Sequence, residues 1–311
     1  MKTKTPLAIV AVILFACLAY AQSVPPRPSR YDENAGPPSR DINIQSITVN
    51  YGGVNRNVFF YLPSTYQTGT AVPLVFAFHG TTGNAAVMYA SAKGIPQKAE
   101  AEGFIAVFPN GLPLPNGGNG FQWMDEINVP YVGFLIDQLQ ARFTIDARRI
   151  YLIGFSGGSQ LCQRVASDPT QSKRIAAIGT VAGSAGYQPG AGQPFIITDP
   201  NASGQAQAMS AFMVQGALDP VNPINGGPNL DGFVQLSFAD KINFWTKFIN
   251  ANLTEPIVVT QAPTNATATK YSNAQTRLTL IGLVDPLLAH AWPRWDVTTA
   301  IWDFFKSVPT R

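Results

Sequence analysis

Apolar positions along the chain fall into two rhythms that alternate from about residue 42 onward. Short, nearly continuous apolar runs appear at 73–80 (PLVFAFHG), 104–109 (FIAVFP), 149–156 (RIYLIGFS), 176–183 (AAIGTVAG), 210–216 (SAFMVQG) and 277–284 (RLTLIGLV). Runs of that length and character predict strands buried on both faces, as a parallel sheet requires. Between and after them, residues 129–143, 236–249 and 295–308 carry apolar residues at helical spacing, and 159–167 reads as a further helix. Before all of these, two β-rich stretches flank Tyr51-Gly52-Gly53 and predict an antiparallel hairpin. The alternation predicts an α/β fold: a mostly parallel, doubly wound sheet with an antiparallel hairpin at its start.

The N-terminal 40 residues follow neither rhythm. Lys2 and Lys4 precede an apolar run from Leu7 to Leu18, and Ala19-Tyr20-Ala21 follows as a small-residue cleavage pattern. Residues 1–21 therefore predict an export signal too short to span a bilayer, and a secreted protein. A second reading makes Leu14-Phe15-Ala16-Cys17 a lipoprotein signal that anchors the chain at Cys17. Residues 22–40 are Pro-rich and apolar-poor, which predicts a disordered linker ahead of one domain over 41–311. Asn201, Asn252 and Asn265 stand in N-x-Ser/Thr triplets.

Composition narrows the function. Charged residues make up 13% of the chain and net charge is +3, with no Lys/Arg cluster, so nucleic acid has no electrostatic footprint here. With two cysteines, Cys17 and Cys162, the domain itself has no pair to bond, and Cys162 reads as a small core residue. Two histidines and this cysteine count argue against a zinc site, and the sequence calls for no cofactor and no obligate protein partner.

What remains is nucleophilic chemistry. Gly154-Phe155-Ser156-Gly157-Gly158 matches G-x-S-x-G between a predicted strand and a predicted helix, the setting of a nucleophile elbow. The turn strains the serine backbone, so its near neighbours must be small, and the Gly157 amide then faces a developing oxyanion. Ser156 needs a base, and only His79 and His290 exist. In such folds the acid and then the histidine follow the serine in sequence, which selects His290. Asp219, three residues past the strand SAFMVQG, is the favoured acid, with Asp285 as rival; Asp168, Asp199, Asp231, Asp240 and Glu255 are less well placed. The loop Gly80-Thr81-Thr82-Gly83 predicts the second oxyanion donor, the Thr81 N–H, with His79 bracing that loop.

These motifs together resemble the secreted polyhydroxybutyrate depolymerase, feruloyl esterase and acetylxylan esterase group, related to carbohydrate esterase family 1, of the α/β-hydrolases. PLVFAFHG resembles its oxyanion strand, and VGFLIDQLQARFTIDARRIYLIGFSGGS its helix–strand–elbow block. VQGALDPVNPINGG resembles its aspartate loop, and HAWP its histidine loop. The resemblance implies a serine esterase acting on an ester substrate, feruloyl or acetyl groups on plant cell-wall polysaccharide, with a polyhydroxyalkanoate as the alternative. A non-catalytic binding protein on the same scaffold is disfavoured by the intact Ser156, Asp219 and His290. The family often bonds a cysteine after its His-Gly pair to another before a Trp; here those stretches read His79-Gly80-Thr81 and Phe121-Gln122-Trp123, so that disulfide is absent. Leu287-Leu288-Ala289 precede His290 where the family has glycines. Trp123 and Trp292 are candidate walls of a substrate pocket.

Overall fold

A computed structural model describes residues 43–91, 94–115, 117–183, 206–228 and 234–311. The expectations for the export signal, Cys17, the linker, Asn201, Asp199 and Asp231 lie outside the described residues. Asn252 and Asn265 are both exposed.

The chain opens with β1 (Ile44–Tyr51) and β2 (Val54–Tyr61), antiparallel with Tyr51 opposite Val54. Gly52 and Gly53 between them have φ of 62° and 81°, the paired positive values that a two-residue type I′ hairpin turn needs. Then come β3 (Val72–Phe78), α1 (Ala85–Ser91), α2 (Ile95–Glu102) and β4 (Ile105–Pro109). A two-stranded ribbon, β5 (Leu112–Pro113) with β6 (Phe121–Gln122), precedes α3 (Asn128–Gln140). The centre of the chain is β7 (Ile145–Phe155), α4 (Gly157–Ser167), β8 (Ala177–Val181) and β9 (Ser210–Gly216). A second small ribbon, β10 (Gly227–Pro228) with β11 (Val234–Gln235), leads to α5 (Phe238–Phe248). The chain closes with β12 (Leu253–Ile257), β13 (Thr267–Ser272), β14 (Thr279–Asp285) and α6 (Val297–Ser307).

Ten strands form one sheet in the order β1-β2-β4-β3-β7-β8-β9-β14-β13-β12. The six from β4 to β14 are mutually parallel, and the pairs outside them antiparallel. The expected doubly wound α/β sheet with an opening hairpin is therefore what the chain adopts. Both faces are dry. Leu74, Phe76 and Phe78 of β3 pack with Ile150 and Leu152 of β7 against α3, α4 and α5. Their neighbours Val75, Ala77, Tyr151 and Ile153 point the other way, toward α1, α2 and α6. Period-two alternation between two apolar faces is why the strand sequences read as continuous apolar runs.

The antiparallel far edge was not legible. Leu253-Thr254-Glu255-Pro256-Ile257 is exposed along most of its length and contains a proline. Proline is tolerated because β12 is an edge strand, where one side needs no donor. Among the described residues, no helix is long and apolar enough to cross a membrane.

Chain order reverses between β3 and β7: the chain moves from β3 outward to β4, then returns to lay β7 on the other side of β3. Crevices at the carboxyl ends of parallel strands at such a switch point are where α/β sheets place their ligands. His79 and Thr81 follow β3 there, and Ser156 follows β7.

Candidate active site

The elbow is built by steric exclusion. Ser156 sits at φ 50°, ψ −117°, a conformation outside the helical and extended regions that costs a non-glycine residue about 1–3 kcal/mol. A β-carbon on Gly154 would run into the Gly158 carbonyl, and one on Gly158 would run into the Phe78 carbonyl. Both motif glycines are thus required by backbone approaching backbone. Hydrogen bonds hold the strained turn to β8 and to the end of β7. The Ser156 N–H donates to the Val181 carbonyl at 3.0 Å. The buried Ser159 hydroxyl accepts from the Val181 N–H at 3.0 Å and donates to the Gly154 carbonyl at 2.6 Å.

Across the switch point, the loop after β3 lies against this turn. A β-carbon on Gly80 would sit 3.2 Å from Ser156 Cβ. One on Gly157 would strike the Thr81 hydroxyl and lie 3.2 Å from the Thr81 amide nitrogen. The Thr81 and Gly157 backbones, the two expected oxyanion donors, are therefore neighbours beside Ser156. The loop is held from behind. Thr82 N–H donates to the Phe121 carbonyl at 2.9 Å and Phe121 N–H to the Gly83 carbonyl at 3.0 Å. The Trp123 indole N–H donates to the His79 carbonyl at 2.9 Å. Hydrogen bonds thus join the two segments that the family often joins by a disulfide.

His290 and Asp219 reach Ser156 from the strands on its other side. β9 and β14 are paired with Gly216 opposite Asp285, and their loops are laced beyond the sheet. Ala217 N–H donates to the Asp285 carbonyl at 2.9 Å, and Leu218 N–H to the Leu288 carbonyl at 3.1 Å. The lacing sets His290 Nδ1 2.9 Å from Asp219 Oδ2, and His290 Nε2 2.9 Å from Ser156 Oγ. A carboxylate only accepts, so Nδ1 carries the proton and Nε2 offers its lone pair to the serine hydroxyl. The Asp219 side chain has no exposed surface, whereas His290 keeps 15% of its own. Asp219 Oδ1 also accepts the Val221 and Asn222 N–H groups at 2.9 and 2.8 Å, which fixes the carboxylate's rotation.

Among the described residues, the other carboxylates weighed from sequence are engaged elsewhere. Asp285 accepts the Leu287 N–H and the Trp295 indole N–H, both at 3.0 Å, and so shapes the loop that carries His290. Asp168 caps the turn at Thr170 and Gln171, Asp240 pairs with Ser237, and Glu255 with Lys270.

Trp123 does not wall a pocket. It is 1% exposed, with its ring 4.7 Å from His79 and edge-on to Phe78 at 5.3 Å. Its place is beneath the Gly80–Gly83 loop, because its indole N–H answers the His79 carbonyl. Trp292 is half-buried, edge-on to Phe155 at 6.4 Å, and Phe155 lies 5.2 Å from the His290 ring. Phe155 was missed because the variable position of the motif carries no signal of its own. Asn222 was missed too: its side-chain N–H binds the Ala182 carbonyl at 2.6 Å, tying the acid loop to the end of β8.

No protein-family model matches the chain. Two curated proteins are similar to part of it. A bifunctional acetylxylan esterase/xylanase of Neocallimastix patriciarum is 28% identical over 126 residues, 37% of this chain and 17% of that protein. Feruloyl esterase B of Neurospora crassa is 25% identical over 135 residues, 40% of this chain and 44% of that protein. The match thus spans less than half the length of either relative. Among solved structures, an acetyl xylan esterase from Aspergillus awamori superposes with a TM-score of 0.59 at 17% identity, covering 84% of this chain and 99% of that one. A CE1 ferulic acid esterase from Anaeromyces mucronatus, in complex with ferulic acid, gives 0.56 at 16% identity, covering 91% and 95%. The chain has the α/β-hydrolase fold. The proteins it resembles are those of the group its motifs resemble.

His79 yields a pH prediction. It is buried, with Nδ1–H donating to the Gly80 carbonyl at 2.7 Å and Nε2 accepting the Gly111 N–H at 3.2 Å. Burial pushes its pKa down to about 4. Between pH 6.5 and 4 the unfolded chain binds a proton that the folded ring refuses, so stability is lost as pH falls through that window, by up to about 3 kcal/mol. Urea unfolding at pH 7 and at pH 4.5 is expected to show a smaller acid loss in His79→Gln than in the unsubstituted protein. Equal losses would contradict the assignment.

Proposed function

We propose that the chain is a secreted serine carboxylesterase whose reaction runs through Ser156, His290 and Asp219. The observation that carries this reading is the 2.9 Å contact between His290 Nε2 and the hydroxyl of a serine held at positive φ. In the proposed reaction, His290 takes the Ser156 proton as Oγ attacks the ester carbonyl. The Thr81 and Gly157 N–H groups receive the negative charge on the carbonyl oxygen. Asp219 stabilises the imidazolium, which then protonates the departing alcohol. Water, deprotonated by the same histidine, releases the acid and restores Ser156. Each proton in this cycle has a protein partner, so the chemistry calls on no cofactor.

For the substrate, we favour feruloyl or acetyl esters on plant cell-wall polysaccharide. The names of the similar proteins support this, as does the aromatic pair Phe155 and Trp292 beside His290, a surface suited to a phenolic acyl group. Export rests on the pattern of residues 1–21, with attachment at Cys17 as the other form of it. Replacing Ser156 with Ala is expected to lower kcat for p-nitrophenyl acetate by at least ~10⁴-fold with the fold intact. Equal rates for the two proteins would end the esterase reading.

One observation favours the second reading, a polyhydroxyalkanoate depolymerase. Leu218, next to the acid, is 59% exposed, and Leu287, three residues before the base, is 72% exposed. Exposed leucines on two laced loops beside a reactive serine suit an apolar polymer chain better than a sugar. Under this reading, the double variant Leu218→Ser/Leu287→Ser loses activity on hydroxybutyrate oligomers while its rate on methyl ferulate holds. The reverse pattern, measured as kcat/KM on the two substrates, would favour the polysaccharide ester.

A further inference from the structure

A buried lysine lies behind the acid. Lys241, in the first turn of α5, is 2% exposed, because it shares the inward face of the helix with Phe238, Trp245 and Phe248. A buried ammonium is rarely found unpaired, and removing it from water is costly. Its Nζ donates to the Gly183 carbonyl at 3.0 Å and toward Gln215 Oε1 at 3.4 Å. Gln215 is also fully buried, and its Nε2 donates to the Asn222 carbonyl at 2.8 Å and toward Asp219 Oδ2 at 3.4 Å.

The amide orientation follows from these partners. An ammonium only donates, so Gln215 must turn its oxygen to Lys241 and its NH₂ to the acid loop. The flipped amide would set NH₂ against ammonium and oxygen against carboxylate. The Asp219 charge favours the ammonium form of Lys241. Among the described residues, neutral groups face it: Gln215 on β9, the Gly183 carbonyl after β8 and, on its own helix one turn earlier, the Phe238 ring, 5.4 Å away. The neighbouring Asp240 is turned to Ser237.

We propose that Lys241 is a positioning residue of the site: its ammonium orients Gln215, whose amide faces the Asp219 carboxylate, and supplies a buried positive charge behind the Asp219–His290 pair. The proposal rests on the Ser156–His290–Asp219 reading. Lys241 also grips the end of β8, since Gly183 lies against Ser159 and the Ser156 carbonyl, so one cation braces both the acid loop and the nucleophile turn.

The charge is lost within a measurable range. Burial pushes the Lys241 pKa down to about 8, with Asp219 opposing the fall. As pH rises through about 8, the ammonium deprotonates and turnover falls. Folding responds with the opposite sign. From about pH 8 to 10.5 the unfolded chain keeps a proton that the folded chain has released, so this group's contribution to stability rises over that window. A purely structural lysine would not make activity fall where its own contribution to stability grows.

The test is the pH profile of kcat and KM for p-nitrophenyl acetate from pH 6 to 10. It compares the unsubstituted protein with Lys241→Met, Lys241→Arg and Ser156→Ala, with thermal unfolding followed in parallel. The unsubstituted enzyme is expected to show an alkaline fall in kcat near pH 8. In Lys241→Met, kcat at pH 7 drops about tenfold, far short of the ~10⁴-fold lost when a triad aspartate is neutralised, KM changes little, and the alkaline fall disappears. If Lys241→Met does not fold, Lys241→Arg decides, because its charge persists and the fall moves beyond the range. A flat profile in the unsubstituted enzyme, or an unchanged fall near pH 8 in the folded variant, overturns the proposal while leaving the esterase reading standing. Turnover that survives Ser156→Ala overturns both.

Discussion

A carboxylate with no exposed surface is the constraint around which the site is arranged. Burying Asp219 is unfavourable unless its lone pairs are met, and they are met from several directions. Two backbone N–H groups of its own loop, the Gln215 amide and the His290 ring all converge on it. Those partners can assemble only because β9 and β14 are adjacent and parallel, with their following loops tied by two backbone hydrogen bonds. Once the ring is fixed by Asp219, its second nitrogen has one direction left, and Ser156 stands there. Placing the serine requires a strained turn, which the sheet tolerates because Gly154 and Gly158 let three backbones crowd together. Sheet order, loop lacing, buried charge and backbone strain are thus one connected arrangement.

Much of this was legible because it is local. A strand followed by G-x-S-x-G, a hairpin marked by two glycines, and apolar runs of strand length each carry their structural reason within a few residues. The choice of His290 over His79 was arithmetic on two histidines, and His79 does brace its loop, as its neutral, doubly bonded ring shows. Direction and partnership across the fold were not legible. Trp123 is far from the Gly80–Gly83 loop in sequence and beside it in space, yet it points into the core, which a single aromatic letter does not reveal. Asp285, at the end of the last strand, was the rival to Asp219 for the acid. The difference is that Leu287 and Trp295 claim its oxygens, a fact of tertiary structure. β12 and β13 lack the apolar rhythm of the inner strands because one lies at the sheet edge and the other next to it.

The mouth of the site departs most from the family pattern. The two segments that the resembled group often joins by a disulfide are joined here by backbone pairing between the Thr82 segment and Phe121, and by the Trp123–His79 bond. Leucines stand where glycines are usual before the histidine, and Leu287 is turned outward. Such changes leave the geometry around Ser156 in place while altering what a substrate meets on approach. On the proposed reading, chemistry and specificity rest on different parts of this molecule: the first on buried, laced loops, the second on the half-buried aromatic pair and the exposed rim.

The central claim is that His290 makes the Ser156 hydroxyl a nucleophile. Covalent trapping reads this without any choice of substrate: the full chain is treated with a fluorophosphonate, and the adduct is located by peptide mass spectrometry. One adduct is predicted, on the peptide carrying Ser156, formed at least ~10³-fold more slowly in His290→Ala. Labelling at another residue, or labelling of Ser156 that is as fast without the imidazole, would contradict the account.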